Sequence, residues 1–480
     1  MNLEGPGAGV YTHLLPFILT GQSKGTGVVG VPSTEQRLSG WGRLNPELCS
    51  VHRPEKHRTV REAVEQAGGT LLARGLGRSY GDAAVNGGGG VVDMTRLNRL
   101  LAFDAESGVV ECEAGVSLAD LVAAFLPRGW FLPVTPGTKF VTVGGAIAHD
   151  IHGKNHHRDG TFGQFVREFK LLIANGETIS CSRKENQDVF WATIGGAGLT
   201  GIILSASVRL QPVESAYYLV DYRRAKNLED ALRIFAETDE KYQYSVAWID
   251  CLARGGSLGR SVLMLGNSAP VSALPAHLRN NPLCPREKRK TNVPVDMPEL
   301  LLNPLSMKIY NTLFHARNPE RDGAVVDFDT YYYPLDSVHN WNRLYGKRGF
   351  AQFQATVPPE GVAALVQILE RISATKSGFL GVLKAMGEQN EGLLSHPIKG
   401  YTLTLDIPNH GKLGPFLHGL DEILLAHGGR IYLAKDAVSR PETLEAMYPR
   451  LKQFRAVKAK VDPERRFDSS QARRLGITGD

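Results

Sequence analysis

Three glycine-rich stretches interrupt a series of strand-like runs in the first half of this chain, and none has the spacing of a nucleotide fold. In the first, "ARGLGRSYGD" at 73–82, Gly75, Gly77 and Gly81 read G-x-G-x-x-x-G. A dinucleotide fingerprint reads G-x-G-x-x-G and opens a helix, and a P-loop ends in Lys-Ser or Lys-Thr. Here "DAAVNGGGGVVDM" leads into another strand-like run instead. What remains is a strand followed by backbone N–H groups that glycine can turn to one side, with Arg78 and Ser79 as added donors. Such a loop is an anion-binding nest, and a glycine-rich surface turn is the competing reading of the stretch alone.

The second stretch, "PVTPGTKFVTVGGAIAHDIHGKNHHRDGTFGQFV" at 133–166, has close turns at Pro136-Gly137 and Gly144-Gly145. Side chains this small let a flat ligand lie against the backbone. The third, "IGGAGLTGIILSASVRL", feeds a buried strand. Between the three, short β-like runs mix with the helical "TVREAVEQAGG" and "SLADLVAAFLPRG" without a regular βαβ beat, which predicts an α+β fold.

A length of 480 residues exceeds one ordinary core, so more than one domain is expected. The organisation reads as a flexible segment at 1–35, a first domain at 36–214, a second at 215–429, and a C-terminal segment at 430–480. The stretch 277–314, rich in proline with a basic cluster at Arg286, Lys288, Arg289 and Lys290, reads as a long mobile loop, either a disordered insertion or a membrane-contacting lid. After it, strand-like and helical runs alternate as in a sheet covered on one face. Net charge is +6, with no basic stripe interleaved with aromatics, which excludes a nucleic-acid footprint. Five scattered cysteines without a CxxC pair form neither a disulfide framework nor a zinc site. Three histidines at 152, 156 and 157 lack the carboxylate or cysteine partners of a metal centre, so no metal is expected. "VYTHLLPFIL" near the N-terminus has no basic leader and no run is long enough to span a bilayer. Cytoplasmic synthesis without a signal peptide is expected, with the protein free or loosely associated with a membrane.

The motifs "ARGLGRSYGD", "PGTKFVTVGGAIAHDIHGKNHH", "GGAGLTGIILSASVRL" and "VDPERRFDSSQARRL" resemble the FAD-binding domain of the vanillyl-alcohol-oxidase type of flavoprotein. Within that fold, "YSVAWID", "YYYPLD", "WNRLYG", "SHPIKGY" and "IYLAKDAVS" extend the resemblance to the family of decaprenylphosphoryl-β-D-ribose 2′-oxidases, flavin subunits of an epimerase. It runs over roughly nine-tenths of the chain, from "RLSGWGRL" to "ARRLGI". The resemblance implies a PCMH-type FAD domain followed by an antiparallel-sheet substrate domain.

It also implies that FAD is held by Gly75, Gly77, Arg78, Ser79, Tyr80 and Gly81 in the first loop. Gly137, Thr142, Val143, Gly144, Gly145, His152 and Gly153 in the second, with Ile202, Tyr432 and Lys435, complete that set. Many relatives bind flavin covalently through a first-loop histidine; Tyr80 stands there, so non-covalent FAD is expected. Lys435 is the expected catalytic cation, its ammonium beside the flavin stabilising charge that develops as hydride arrives. Tyr80, His152 and Lys435 all remain candidates for taking the hydroxyl proton. Lys154, Trp248, Tyr332, Gln352, Gln354 and Lys384 correspond to the sugar-phosphate pocket, each with a plain structural alternative as core, half-buried strand or solvated loop. Thr402 and Thr404 replace an asparagine and a cysteine of the mycobacterial members, so the pocket wall is altered and has no thiol at 404.

The implied reaction is oxidation of the C2′ hydroxyl of a polyprenyl-phosphoryl ribose to a ketone, the first half of an epimerisation towards the arabinose donor of cell-wall arabinan. An NADH-dependent short-chain reductase is then the expected partner subunit, and the lipid tail implies a membrane surface. Two other readings stand beside it: a sugar or alditol oxidase that uses O₂ on a soluble substrate, and a flavin-binding subunit without chemistry of its own.

Overall fold

The computed structural model describes residues 31–285, 289–298, 301–376, 378 and 381–479. The expected flexible lead-in, up to residue 30, and the basic residues 286 and 288 lie outside them. Two larger sheets build the first half, beside a two-stranded pair of Trp130–Phe131 and Gln211–Pro212. In one, Glu47–His52, Gly90–Asp93 and Leu71–Arg74 run parallel, with Ser33–Leu38 antiparallel at the edge. Parallel neighbours need a crossover, supplied between the first and third by the helix His57–Gln66, which buries Val60, Ala63 and Val64. The other is a five-stranded antiparallel sheet ordered Leu100–Asp104, Val109–Glu113, Ile202–Arg209, Val166–Leu172, Thr178–Ser182.

The second half is one eight-stranded sheet. Its centre pairs Gly381–Met386 with Gly400–Pro408 and the latter with Phe350–Val357, all antiparallel. Side chains alternate across a strand, so residues of one parity share a face. The odd positions Phe353, Ala355, Leu383, Leu403 and Leu405 are buried in a core with Ile368 and Leu369 of the helix Ala363–Thr375 and Leu417 and Leu420 of the helix Leu413–Ala426. The even positions, Gln352, Gln354, Val382, Lys384, Thr402, Thr404 and Asp406, face the other way. Phe350–Val357 is therefore buried along its whole length, with helices behind it and the first half of the chain in front.

The C-terminal segment returns to the first half. Leu71 N–H donates to the Arg466 carbonyl at 2.7 Å, and Asp468 N–H donates back to Leu71 at 3.0 Å. Buried Lys458 donates to the carbonyls of Leu199 and Phe467, both at 2.8 Å, and to Asp462 at 2.6 Å, which ties the helix Leu451–Val461 to the third glycine stretch.

The stretch 277–314, expected to be a long loop, runs into the fourteen-residue helix Pro304–Arg317. Asn303 caps it, accepting from the N–H groups of Leu305 and Ser306, and Pro304 takes the first turn, where its missing N–H costs nothing. Prolines and basic residues hid this start, because they read as breakers when the cap beside them is overlooked.

Candidate active site

The first glycine loop is gripped from both sides by backbone hydrogen bonds. Trp41 N–H donates to Ser79 and Gly42 N–H to Tyr80, while Tyr80 N–H donates to Ala434 at 2.8 Å. At Gly81 any Cβ would lie 1.9 Å from the Asp436 carbonyl oxygen, so only glycine allows the C-terminal segment this close. The loop thereby fixes Tyr80 and Lys435 together, with the Lys435 ammonium 3.9 Å from the centre of the Tyr80 ring.

In front of the even face of the large sheet lies a cavity of about 300 Å³, within the range of pockets that enclose small molecules. All three glycine stretches line it: Gly75 to Tyr80, then Gly137, Thr142, Gly144, Gly145 and His152, then Gly198 and Gly201. From the sheet come Gln352, Gln354, Val382, Lys384 and Thr404, and from the C-terminal segment Tyr432 and Lys435.

Within this wall Gln354 Nε2 lies 2.8 Å from His152 Nε2 and 3.3 Å from Thr402 Oγ1. With the glutamine amide donating, His152 Nε2 accepts and its Nδ1 carries the proton, and that buried Nδ1 has no partner among the described residues. Burial, helped by Lys384, holds His152 well below its ordinary pKa, so it is neutral. Asp406 accepts from Gln352 at 2.6 Å and from Tyr345 at 3.2 Å, and burial pushes its carboxyl up to about 6. Burial brings Lys435 down to about 7, opposed by Asp406, and Lys384 down to about 8. It raises the Tyr80 phenol well above its usual range. Two half-buried lysines, Lys384 and Lys435, face the cavity, and neither has a carboxylate within salt-bridge distance among the described residues, so the site is electrostatically prepared for an anion.

The wall fits FAD on two observations. Arg78 Nε and Ser79 Oγ are buried donors without partners in the first loop, as a nest for a pyrophosphate requires. A Cβ built on Gly137 or Gly198 would meet nothing within 4 Å, so both glycines leave open a flat space that a side chain would fill.

Several residues named from the sequence stand behind the wall. Ile202 points into the core with Leu71 and Phe467, while its neighbours Gly201 and Ile203 face the cavity, as strand alternation demands. Val143 is core, Gly81 abuts Asp436, and Gly153 packs against Asn155 and Thr135. Thr402 is fully buried, donating to the Ala355 carbonyl at 3.1 Å. Lys154 donates to the Tyr331 carbonyl and lies over its ring, Tyr332 sits among Tyr218, Tyr244 and Phe131, and Trp248 packs 4.5 Å from Phe314. These three are not part of the cavity wall.

Sequence reasoning missed Asp406 and also His149, Trp41, Trp341 and Asp336, which line the cavity. Asp406 had a signal: it continues the period of two through Thr402 and Thr404. Trp41 and His149 lie in turns, and Asp336 and Trp341 in the short 3-10 helices Pro334–Ser337 and Trp341–Tyr345, with no such period.

Comparison with known proteins supplies the remaining evidence. Residues 50–182 match the FAD binding domain family, and 403–475 match the D-arabinono-1,4-lactone oxidase family. The decaprenylphosphoryl-beta-D-ribose oxidase of Mycolicibacterium smegmatis is 41% identical over 455 residues, covering 93% of this chain and 98% of its own. An uncharacterized protein of Streptomyces coelicolor is 36% identical, over 75% of this chain and 100% of its own. The solved xylooligosaccharide oxidase of Myceliophthora thermophila superposes with a TM-score of 0.66 at 16% identity, over 92% of this chain and 96% of that one, and shares the fold.

Proposed function

From the premise that this chain belongs to the decaprenylphosphoryl-beta-D-ribose oxidase family of FAD-binding oxidoreductases, we propose that it oxidises the C2′ hydroxyl of a polyprenyl-phosphoryl pentose to the ketone. The observation that carries this reading is the convergence of half-buried Lys435 and Lys384 on one cavity with Gln352, Gln354 and neutral His152. FAD, bound without a covalent link through the nest of Gly75 to Tyr80, supplies the acceptor for the hydride from C2′.

The protein's own residues handle the proton and the position of the sugar. Tyr80 is too deeply buried to ionise, and His152 presents an N–H rather than a lone pair, so it donates to a ligand oxygen. Lys435, brought to about 7, is the group poised to take the hydroxyl proton. Lys384 is held for an anionic group, and the phosphate of the substrate is the one this reading supplies. Gln352, Gln354 and Thr404 face the same space and offer donors and acceptors for the ribose hydroxyls. The tail of the substrate keeps it in a bilayer, which puts the enzyme at a membrane surface. A separate NADH-dependent reductase that returns hydride to the other face would complete an epimerisation.

The test is an anaerobic titration of the FAD-loaded protein with polyprenyl-phosphoryl ribose. Bleaching of the oxidised-flavin band is expected, and a flavin that stays oxidised overturns the substrate assignment. Lys435→Ala should retain FAD yet slow that reduction by about 100-fold or more.

A further inference from the structure

The helix Pro304–Arg317 is apolar on two opposite sides. Its inner side is accounted for. Met307 is buried in a cluster with Tyr80, Tyr345 and Phe350 beside the cavity, buried Asn311 donates to Asp250 at 2.6 Å, and Phe314 packs on Trp248. On the outer side Leu305, Ile309 and Leu313, spaced i, i+4, i+8, form one line exposed by 68%, 53% and 47%. Tyr310 on the helix and Val295 and Leu301 ahead of it in the chain are exposed as well. These six are most of the ten large hydrophobic side chains exposed among the described residues. A helix that carries an exposed apolar line opposite its buried side is not fully accounted for by its own core, and such a line marks a contact surface.

Charge selects the partner. Residues 304–317 contain no aspartate or glutamate, while Lys308 and Arg317 are exposed on the same helix and Arg289 and Lys290 precede it in the chain. An apolar line flanked by basic groups matches the interface of an anionic bilayer, where leucines enter the acyl boundary and lysine or arginine meets the headgroups. The helix is anchored at both ends, by the Asn303 cap and by Arg224, which donates to the carbonyls of Ala316 and Asn318 at 3.2 and 3.1 Å. It is thus fixed to the half of the chain that carries the eight-stranded sheet.

We propose that the outer face of the helix Pro304–Arg317 docks on an anionic lipid bilayer and brings the mouth of the active-site cavity to the surface that holds the substrate. This rests on the polyprenyl-phosphoryl reading above. A long lipid then need not leave the bilayer, since the inner side of the docking helix already touches the cluster containing Tyr80.

The experiment uses the full-length, FAD-loaded protein with vesicles of phosphatidylcholine mixed with phosphatidylglycerol, and with phosphatidylcholine alone. Wild type should sediment with the anionic vesicles, and Leu305→Ser/Ile309→Ser/Leu313→Ser should lose about tenfold or more in partitioning. Lys308→Glu should weaken binding to the anionic vesicles and leave binding to neutral ones unchanged. Reduction by a short-chain, water-soluble prenyl-phosphoryl ribose reads the active site separately and should be unchanged in the triple variant. If that variant loses its flavin, Leu305→Asp alone, at the most exposed position, repeats the test. Wild type that ignores vesicles, or a triple variant that binds like wild type, overturns the docking face whatever the substrate. Vesicle binding without reduction by any prenyl-phosphoryl pentose keeps the docking face and overturns the substrate reading. A wild-type dimer that becomes monomeric in the triple variant, or vesicle binding that emerges only after residues 1–30 are removed, assigns the stripe to a second copy or to that segment and also overturns it.

Discussion

Lys435, Asp406 and Tyr80 divide one electrostatic problem between them. A lysine buried without a hydrogen-bonded counter-ion loses affinity for its proton, and Asp406 restores part of it. If neutral Lys435 takes the hydroxyl proton, the rate of flavin reduction rises with pH through about 7. Asp406 favours the ammonium, so Asp406→Asn lowers the pKa of Lys435 and makes the neutral amine available at lower pH. The rising limb of the pH–rate profile should therefore move towards acid, measured by stopped-flow flavin reduction across pH; a shift towards alkali refutes the assignment. Tyr80 gives a second outcome at this scale. Its phenol is covered by Lys435 and held protonated by burial, so it is a poor nucleophile towards flavin. Acid precipitation should leave the flavin in the supernatant.

At the scale of the element, the glycine loops, the alternating strands and the C-terminal return each do one task. The alternation of "FAQFQATV" was plain in the sequence, but its meaning was not, because a half-buried strand facing solvent has the same pattern as one facing a cavity. Lys384, Lys154 and Trp248 were all assigned to the pocket by the family resemblance; Lys384 lines the cavity, while Lys154 and Trp248 pack outside its wall. The difference is set by which strand ends reach the cavity, a matter of register between segments far apart in the chain. The C-terminal return depends on Lys458, which has three acceptors and almost no exposure. Lys458→Met leaves Asp462 buried with only its backbone donors, and should destabilise the fold by about 3–5 kcal/mol, read as a lower thermal midpoint.

For the molecule as a whole, the cavity is walled by residues that the sequence keeps far apart, from the glycine stretches around 73–80, 136–152 and 197–203, the sheet positions 352–404 and the C-terminal 432–435 among others. A ligand there touches both halves, so it binds the native state and not the unfolded chain. Removing FAD should lower the thermal midpoint, and FAD at about 100 times its Kd should restore about 2.7 kcal/mol. Equal midpoints for the two forms would place the flavin elsewhere.

Local pattern was enough for the α+β class and the three glycine stretches, because turns, strand periodicity and backbone nests are properties of a few consecutive residues, and the family resemblance named many of the residues that line the cavity. Only tertiary structure decided that Asp406 joins the site, that Ile202 turns its back on it, and that a helix lies in the proline-rich stretch with an apolar face left outward. Those outcomes depend on register, burial and the approach of distant segments, such as Asp436 against Gly81, and a pattern of neighbours along the chain does not encode which distant surface each side chain will meet.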